Sequence, residues 1–285
     1  TVYTQDARIL IDKNDVIHLI WGQWLTIERV YHRTITNGIW SEAEAVSDTT
    51  IRSGGIEAVL DEDNNIHTVF RATLNPQHNY DIYYRKKNNE VWLPIERINQ
   101  DTLYSNTPTL TIINGEPIVV WDQAEIDSIQ NINKIYWSRK EGTVWSLPRP
   151  VSDRTRSAFP SIITDIENKI HLAWTRRNYG SNYQFLYYSN LINITWQTPQ
   201  LLTFGFNNEL ASPFIKAYNK MVLLTFLRIK STFPYNIEIY LTAKSILSDI
   251  TELEQQADNN KLNVYPNPFN SETNINYRIN STVKV

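Results

Sequence analysis

The sequence predicts an all-β chain, a β-propeller of four-stranded blades with five repeats visible, and three observations predict it. Trp40, Trp92, Trp145 and Trp196 recur at steps of 52, 53 and 51 residues. Each carries the same neighbours: Arg33, Arg85, Ser138 or Ser189 seven residues upstream, and an aliphatic residue followed by a small polar one six residues downstream. Those downstream pairs are Val46-Ser47, Ile98-Asn99, Val151-Ser152 and Leu202-Thr203. Nine Trp, sixteen Tyr and nine Phe, with frequent Ile, Val and Thr, favour sheet over helix. A period near fifty that is kept at several positions at once means one structural unit copied along the chain.

The first strand of the unit reads ARILID (7–12), IEAVLD (56–61), PTLTII (108–113), PSIITD (160–165) and PFIKAY (213–218). A tight polar turn follows, and Asn114-Gly115 is a strong two-residue hairpin signal because both residues tolerate positive φ. The second strand is IHLIW (17–21), IHTVF (66–70), PIVVW (117–121), IHLAW (170–174) and MVLLT (221–225). Runs this apolar suit strands covered on both faces by neighbouring sheets. A variable connection leads to a tyrosine-rich third strand, ending VYH, IYY, IYW and LYY in the first four copies. The tryptophan hairpin then opens a fourth strand carrying Pro94, Pro148 or Pro199. Proline cannot donate to a ladder, so this strand belongs at the outer edge. Repeated four-stranded sheets with an outer edge strand describe propeller blades, and a sandwich or β-helix explains the period less well. The fifth copy has no tryptophan seven residues past Thr242, where Asp249 stands, so its outer strand is missing or supplied elsewhere. No closure strand is evident, and N-terminal truncation is the expectation.

Composition bounds the function. The net charge of −3 offers no basic footprint for nucleic acid. Without cysteine there is no disulfide framework, thiolate nucleophile or thiolate metal site. No run of eighteen apolar residues occurs, so no transmembrane segment is expected. Met221 is the single methionine, so residue 1 is not a translation start.

The segment SRKEGTVW (138–145) resembles the Asp-box (S-x-D-x-G-x-T-W) of sialidase-type BNR repeats, and SNLINITW (189–196) is a second match. RKKNNEVW (85–92) and RTITNGIW (33–40) are worn versions. The Asp position reads Ile35, Lys87, Lys140 and Leu191, so the defining carboxylate is gone from every copy. The resemblance covers residues 7–245 and implies a sialidase-like propeller whose box tryptophans pack between blades. A second resemblance lies in Tyr265, Pro266, Asn267, Pro268, Phe269 and Asn270, followed by the alternating stretch TNINYRI (273–279). This is similar to the opening of a type IX secretion C-terminal sorting domain, a β-sandwich-like module. The implied organisation is a propeller over 1–245, a linker over 246–260 and the start of the sorting domain over 261–285. It further implies a bacterial protein, extracellular or on the outer cell surface, that engages the type IX secretion machinery.

A sialidase needs an arginine cluster, a tyrosine–glutamate pair and an aspartic acid. Arg8-Ile9 lies on a first strand but lacks the proline of that family's Arg-Ile-Pro signature, and reads as a rim arginine. Arg52, Arg156 and Arg177 are near blade starts or turns, with no motif to assign them. His18, His67 and His171 recur at one place in the second strand, where the other copies have Ile118 and Val222. A position that tolerates aliphatic residues is a packing position, so no metal site is expected. Asp12, Asp61 and Asp165, six residues earlier, read as turn caps. No G-x-S-x-G, H-E-x-x-H, P-loop or EF-hand motif is present, and no cofactor or catalytic residue is assigned.

Function is expected instead on the connections between second and third strands: 22–29, 71–81, 122–134 and 176–185. There Trp24, His78, Tyr80, Tyr179 and Tyr183 are flat side chains of the kind that stack on sugars or anchor proteins. The expectation is a secreted or surface, non-catalytic propeller binding a glycan or a cell-surface protein. Two alternatives stay open: a sialidase-type glycoside hydrolase with catalytic groups partly outside this segment, and a purely structural surface module.

Overall fold

The computed structural model describes residues 3–24, 26–73, 79–88, 90–99, 103–126, 131–153, 156–177, 183–202, 206–207, 213–218, 221–229, 237–245, 262–264 and 273–275. All regular structure among them is strand, in the repeated four-stranded antiparallel sheets of the β-propeller class. Among these residues no helix is long and apolar enough to cross a membrane.

The first sheet contains β1 (Tyr3–Ile11), β2 (Ile17–Trp24) and β3 (Glu28–Thr36), then the short β4 (Ile39–Trp40) and β5 (Glu44–Ala45), which both pair with β3. The second repeats this plan with β6 (Arg52–Leu60), β7 (Ile66–Thr73), β8 (Asp81–Asn88), β9 (Val91–Trp92) and β10 (Glu96–Arg97). The third has β11 (Ser105–Ile113), β12 (Glu116–Ile126), β13 (Asn131–Glu141), β14 (Val144–Trp145) and β15 (Arg149–Pro150). The fourth has β16 (Arg156–Thr164), β17 (Ile170–Arg177), β18 (Tyr183–Ile192), β19 (Thr195–Trp196), β20 (Gln200–Leu201) and β21 (Phe206–Asn207). The fifth has three strands, β22 (Phe214–Tyr218), β23 (Met221–Ile229) and β24 (Ile237–Ser245). Last, β25 (Leu262–Val264) pairs antiparallel with β26 (Thr273–Ile275), the latter opening the alternating stretch. The motif Tyr265–Asn270 and the linker 246–260 lie outside the described residues.

Residues 1–160 form one compact unit and 161–285 a second. In each, the core lies between successive sheets. Ile20, Val30, Ile56 and Phe70 fill the space between the first two sheets, and Val69, Tyr84, Leu110 and Trp121 that between the next two. In the second unit Ala173, Tyr188, Ile215 and Leu224 do the same. The continuous apolar run of β7 is buried almost throughout, as a strand with both faces covered must be.

The repeated sequence positions do repeated physical work. The small polar residue after the outer strand accepts a backbone N–H from the first half of the third strand: Ser47 Oγ from Val30 (3.0 Å), Asn99 Oδ1 from Ile82 (2.7 Å), Ser152 Oγ from Ile135 (2.9 Å). The residue seven before each tryptophan donates to the carbonyl just past it. Arg33 reaches Ser41, Arg85 reaches Leu93, Ser138 reaches Ser146 and Ser189 reaches Gln197, at 2.6–2.7 Å. Arginine and serine are interchangeable here because only a donor is required. The aromatic residue late in the second strand stacks on its cross-strand tyrosine: Trp21 on Tyr31, Phe70 on Tyr83, Trp121 on Tyr136, Trp174 on Tyr187.

Trp92 and Trp145 pack on the preceding sheet. Trp92 sets its edge against His32, with ring centroids 5.6 Å apart, and Trp145 against Tyr84 at 5.2 Å. Two of the copies carry a lysine five residues before the tryptophan, and it forms an ion pair with the preceding sheet. Lys87 pairs with Glu44, and Lys140 with Glu96 at 2.5 Å, each glutamate standing on the preceding sheet's outer strand.

Three expectations about boundaries need correction. The first strands begin about four residues earlier than the apolar pattern suggested, because a bulge interrupts the alternation: the register shifts between Gln5 and Arg8, Gly54 and Glu57, and Asn106 and Thr109. Much of the expected connections 22–29, 71–81, 122–134 and 176–185 is strand, since the hairpin ladder continues through polar residues such as Asp122↔Ile135. The fourth strand is two short segments with its proline in the gap between them, where no ladder N–H is needed.

Candidate functional site

The recurring histidines come first, because sequence singled them out. Asp61 Oδ1 accepts the backbone N–H groups of Asp63 (2.9 Å) and Asn65 (2.8 Å), the expected turn cap. Its other oxygen takes His67 Nε2 at 2.9 Å, and Tyr84 Oη meets His67 Nδ1 at 2.7 Å. Asp165, His171 and Tyr188 repeat this with 2.8 and 2.6 Å. Burial alone would raise Asp61, but hydrogen bonds from His67 and Asn65 outweigh it and hold the carboxyl low. Burial pushes the Tyr84 and Tyr188 phenols up, which keeps them as donors. These chains tie the turn to the sheet and are sealed in the core.

The first sheet varies the theme. His32 stands where the second and fourth sheets have tyrosine, its Nε2 3.1 Å from His18 Nδ1, and its own Nδ1 lies 2.7 Å from Glu44. If His32 donates to the carboxylate, its Nε2 must accept from His18. His18 Nε2 then carries no proton, and it is the buried atom without a hydrogen-bond partner, 3.7 Å from Asp12 Oδ2. Among the described residues no three His, Asp or Glu side chains converge to hold a metal ion.

A different group gathers at the other end of the strands, within the first unit. Glu28 is 1% exposed at the start of β3, held by Gln5 Nε2. Gly54 lies so close that a methyl group there would overlap the Glu28 carboxylate. Arg52 Nε faces the same carboxylate at 3.8 Å, too long for a hydrogen bond. The Arg52 guanidinium lies over Trp24 at 4.4 Å from the ring centroid and reaches Tyr80 at 5.9 Å. Arg71 also lies against Tyr80, at 4.9 Å. It donates to Tyr104 Oη (3.3 Å) and to Asn106 Oδ1. Tyr80 and Tyr104 meet edge to face at 5.7 Å. Burial, supported by the Glu28 charge and opposed by both arginines, raises the Tyr80 phenol, so it stays protonated at neutral pH. Asp122, 2% exposed, completes the cluster; burial lifts its carboxyl to about 7 against the lowering effects of Asn133, the Phe159 N–H and Arg71.

Of the residues expected to bind, Trp24 and Tyr80 are here, each with a guanidinium against its ring, and Trp24 keeps 36% of its surface exposed. Tyr183 opens β18, with its side chain outside the described residues, as are His78 and Tyr179. Arg8 pairs with Glu57 at 2.8 Å, away from the cluster. Arg52, unassigned from sequence, is central, and Glu28, Arg71, Tyr104, Asn106 and Asp122 were missed. A signal existed: Glu28, Tyr80 and Asn133 each stand twelve residues before the box tryptophan. Arg71 and Asp122 each follow the last aromatic of the second strand.

No family model matches the chain, and no curated protein matches it in sequence. Solved structures do. A protein of unknown function from Dyadobacter fermentans aligns over 84% of this chain and 79% of its own, with TM-score 0.60 and 13% identity. A polysaccharide lyase, the PL25 ulvan lyase bound to -[GlcA(1-4)Rha3S]-, aligns with TM-score 0.60 and 12% identity, over 84% of this chain and 66% of its own. The α-L-arabinofuranosidase Arb93A of Fusarium graminearum, in complex with an iminosugar inhibitor, gives 0.56 and 10%, over 79% and 76%. At these identities the likeness establishes the β-propeller fold and nothing finer.

Proposed function

We propose that this propeller binds an acidic carbohydrate through the edges of Arg52 and Arg71 and performs no chemistry on it. One observation carries the reading. Arg52 and Arg71 pack against Trp24 and Tyr80, and the Arg52 side chain keeps 33% of its surface exposed there, open to a ligand at the strand ends. A guanidinium held this way presents its in-plane donors, the geometry that recognises carboxylate or sulfate. The ulvan lyase of like fold holds a uronic acid linked to a sulfated sugar, the same ligand chemistry. The phenol of Tyr80, kept protonated, serves as a donor and not as a base.

The sequence resemblances extend the proposal. The worn Asp-boxes support a sialidase-like repeat, and the Pro-Asn-Pro-Phe-Asn stretch supports export by a type IX system to the cell surface or beyond. Glycan-array binding with the purified chain tests the central claim. Acidic glycans should be retained, neutral ones should not, and R52A and R71A should lose the signal. Retention of neutral glycans alone, or of a cell-surface protein in place of any glycan, refutes it.

A second reading, a glycan-cleaving enzyme, is favoured by the Asp122 carboxyl, which is half protonated near neutral pH and could serve as an acid. Release of product from a fluorogenic sialoside or from ulvan, abolished by D122N, would replace the non-catalytic reading.

A further inference from the structure

The inner strand of each of the first four sheets carries one residue in the left-handed region: Asp6 (φ 53°), Gly55 (61°), Thr107 (39°) and Phe159 (55°). Glycine adopts that conformation freely, whereas a β-branched or bulky residue does so only where its surroundings hold it there. A single side chain holds two of them. The Asp122 carboxylate accepts the Thr107 hydroxyl and the Phe159 backbone N–H, and Asn133 Nδ2 lies 3.3 Å away. Asn106, next to Thr107 and the cross-strand partner of Asp122 in the ladder, is the residue on which Arg71 Nη1 rests. A continuous chain of contacts therefore runs from the bulges through Asp122 and Asn106 to the guanidinium.

We propose that Asp122 is the positioning residue of the acidic-ligand site, and that its protonation state sets how strongly Arg71 attracts an anion. This rests on the reading that the site takes an acidic carbohydrate. The groups facing Asp122 are Arg71 from β7, Thr107 from β11, Asn133 from β13 and the Phe159 N–H from β16. Of these four, Arg71 alone carries a charge. Below about pH 7 the carboxyl is neutral and the whole Arg71 charge is available to a ligand. Above it the carboxylate offsets that charge and repels the incoming anion, so binding weakens as pH rises.

The test is titration of ulvan oligosaccharides into wild type and D122N by calorimetry. D122N keeps the shape and the acceptor for the Phe159 N–H but cannot ionise. Wild type should bind about three- to tenfold more tightly near pH 6 than near pH 8, and D122N should show a flat profile, because only an ionisable group contributes proton linkage. A wild-type profile that D122N copies overturns this inference and leaves the function standing. No binding by either protein at any pH overturns the function instead. In that case the Arg71 Nε–Hε resonance decides Asp122's part without ligand: a shift with midpoint near pH 7 that D122N lacks supports it, and an invariant signal overturns it.

Discussion

Replacing His32 with tyrosine imports the residue that the second and fourth sheets carry at the same place, Tyr84 and Tyr188, and it removes one buried proton site. His32 is 1% exposed, and burial lowers it from the ordinary 6.5 to about 4; Lys87 and His18 add to the lowering, and Glu44 opposes it. The sign follows from which state binds the proton. Between pH 6.5 and about 4 the unfolded chain takes up a proton that the folded chain refuses, so this contribution is complete above 6.5 and lost as pH falls. At about 1.4 kcal/mol for each pH unit of difference, the loss is roughly 3 kcal/mol by pH 4. A tyrosine hydroxyl cannot charge in this range. It can donate to His18 Nδ1, leaving His18 Nε2–H free to reach Asp12 as His67 reaches Asp61. Urea unfolding followed by tryptophan fluorescence gives the check. Parent and H32Y should lie within about 1 kcal/mol of each other near pH 7, the scale of a volume-tolerant core exchange, and diverge by roughly 3 in the variant's favour near pH 4. Asp122 titrates in part of this window with the opposite sign: its raised carboxyl stabilises the fold at low pH and loses that as pH rises. It is common to both proteins and cancels in their difference. Parallel curves for parent and variant would refute the argument.

Two further perturbations probe the sheet contacts and the site. Glu96 accepts both Lys140 Nζ (2.5 Å) and the Trp145 indole N–H (2.8 Å), so E96A orphans an indole donor as well as breaking an ion pair. We expect E96A to cost about 1–3 kcal/mol and E96Q, which keeps an acceptor, no more than about 1; equal losses in chemical denaturation would show that the indole bond contributes nothing. G54A places a methyl group on the buried Glu28 carboxylate, which must move from beneath Arg52. The expected result is a loss of about 1–3 kcal/mol together with weakened acidic-glycan binding, and an unchanged thermal midpoint with unchanged binding would contradict the packing described.

Part of the candidate site was legible, and the reason the rest was not is specific. Trp24 and Tyr80 were found because aromatic residues stand out in polar connections. Arg52 and Arg71 did not stand out, since an arginine beside a strand end is ordinary surface in any single copy. Their meaning comes from Tyr80, 28 residues beyond Arg52, and from Tyr104 on the next sheet, contacts that no local pattern encodes. Glu28, which no motif marks, is 1% exposed. The bulges hid the early halves of the first strands, because one left-handed residue inverts the alternation by which strands are recognised.

By itself the sequence determined the repeat. Equally spaced tryptophans, apolar second strands and turn residues such as Asn114-Gly115 act within about fifty residues of chain and set where each sheet's strands and turns fall, while the core that stabilises them lies between successive sheets. The tertiary structure alone decided which side chains meet at the strand ends. Stacking sheets side by side brings Glu28, Arg52 and Arg71 from two separate sheets into one half-buried cluster, where distance and burial, not order along the chain, set their chemistry.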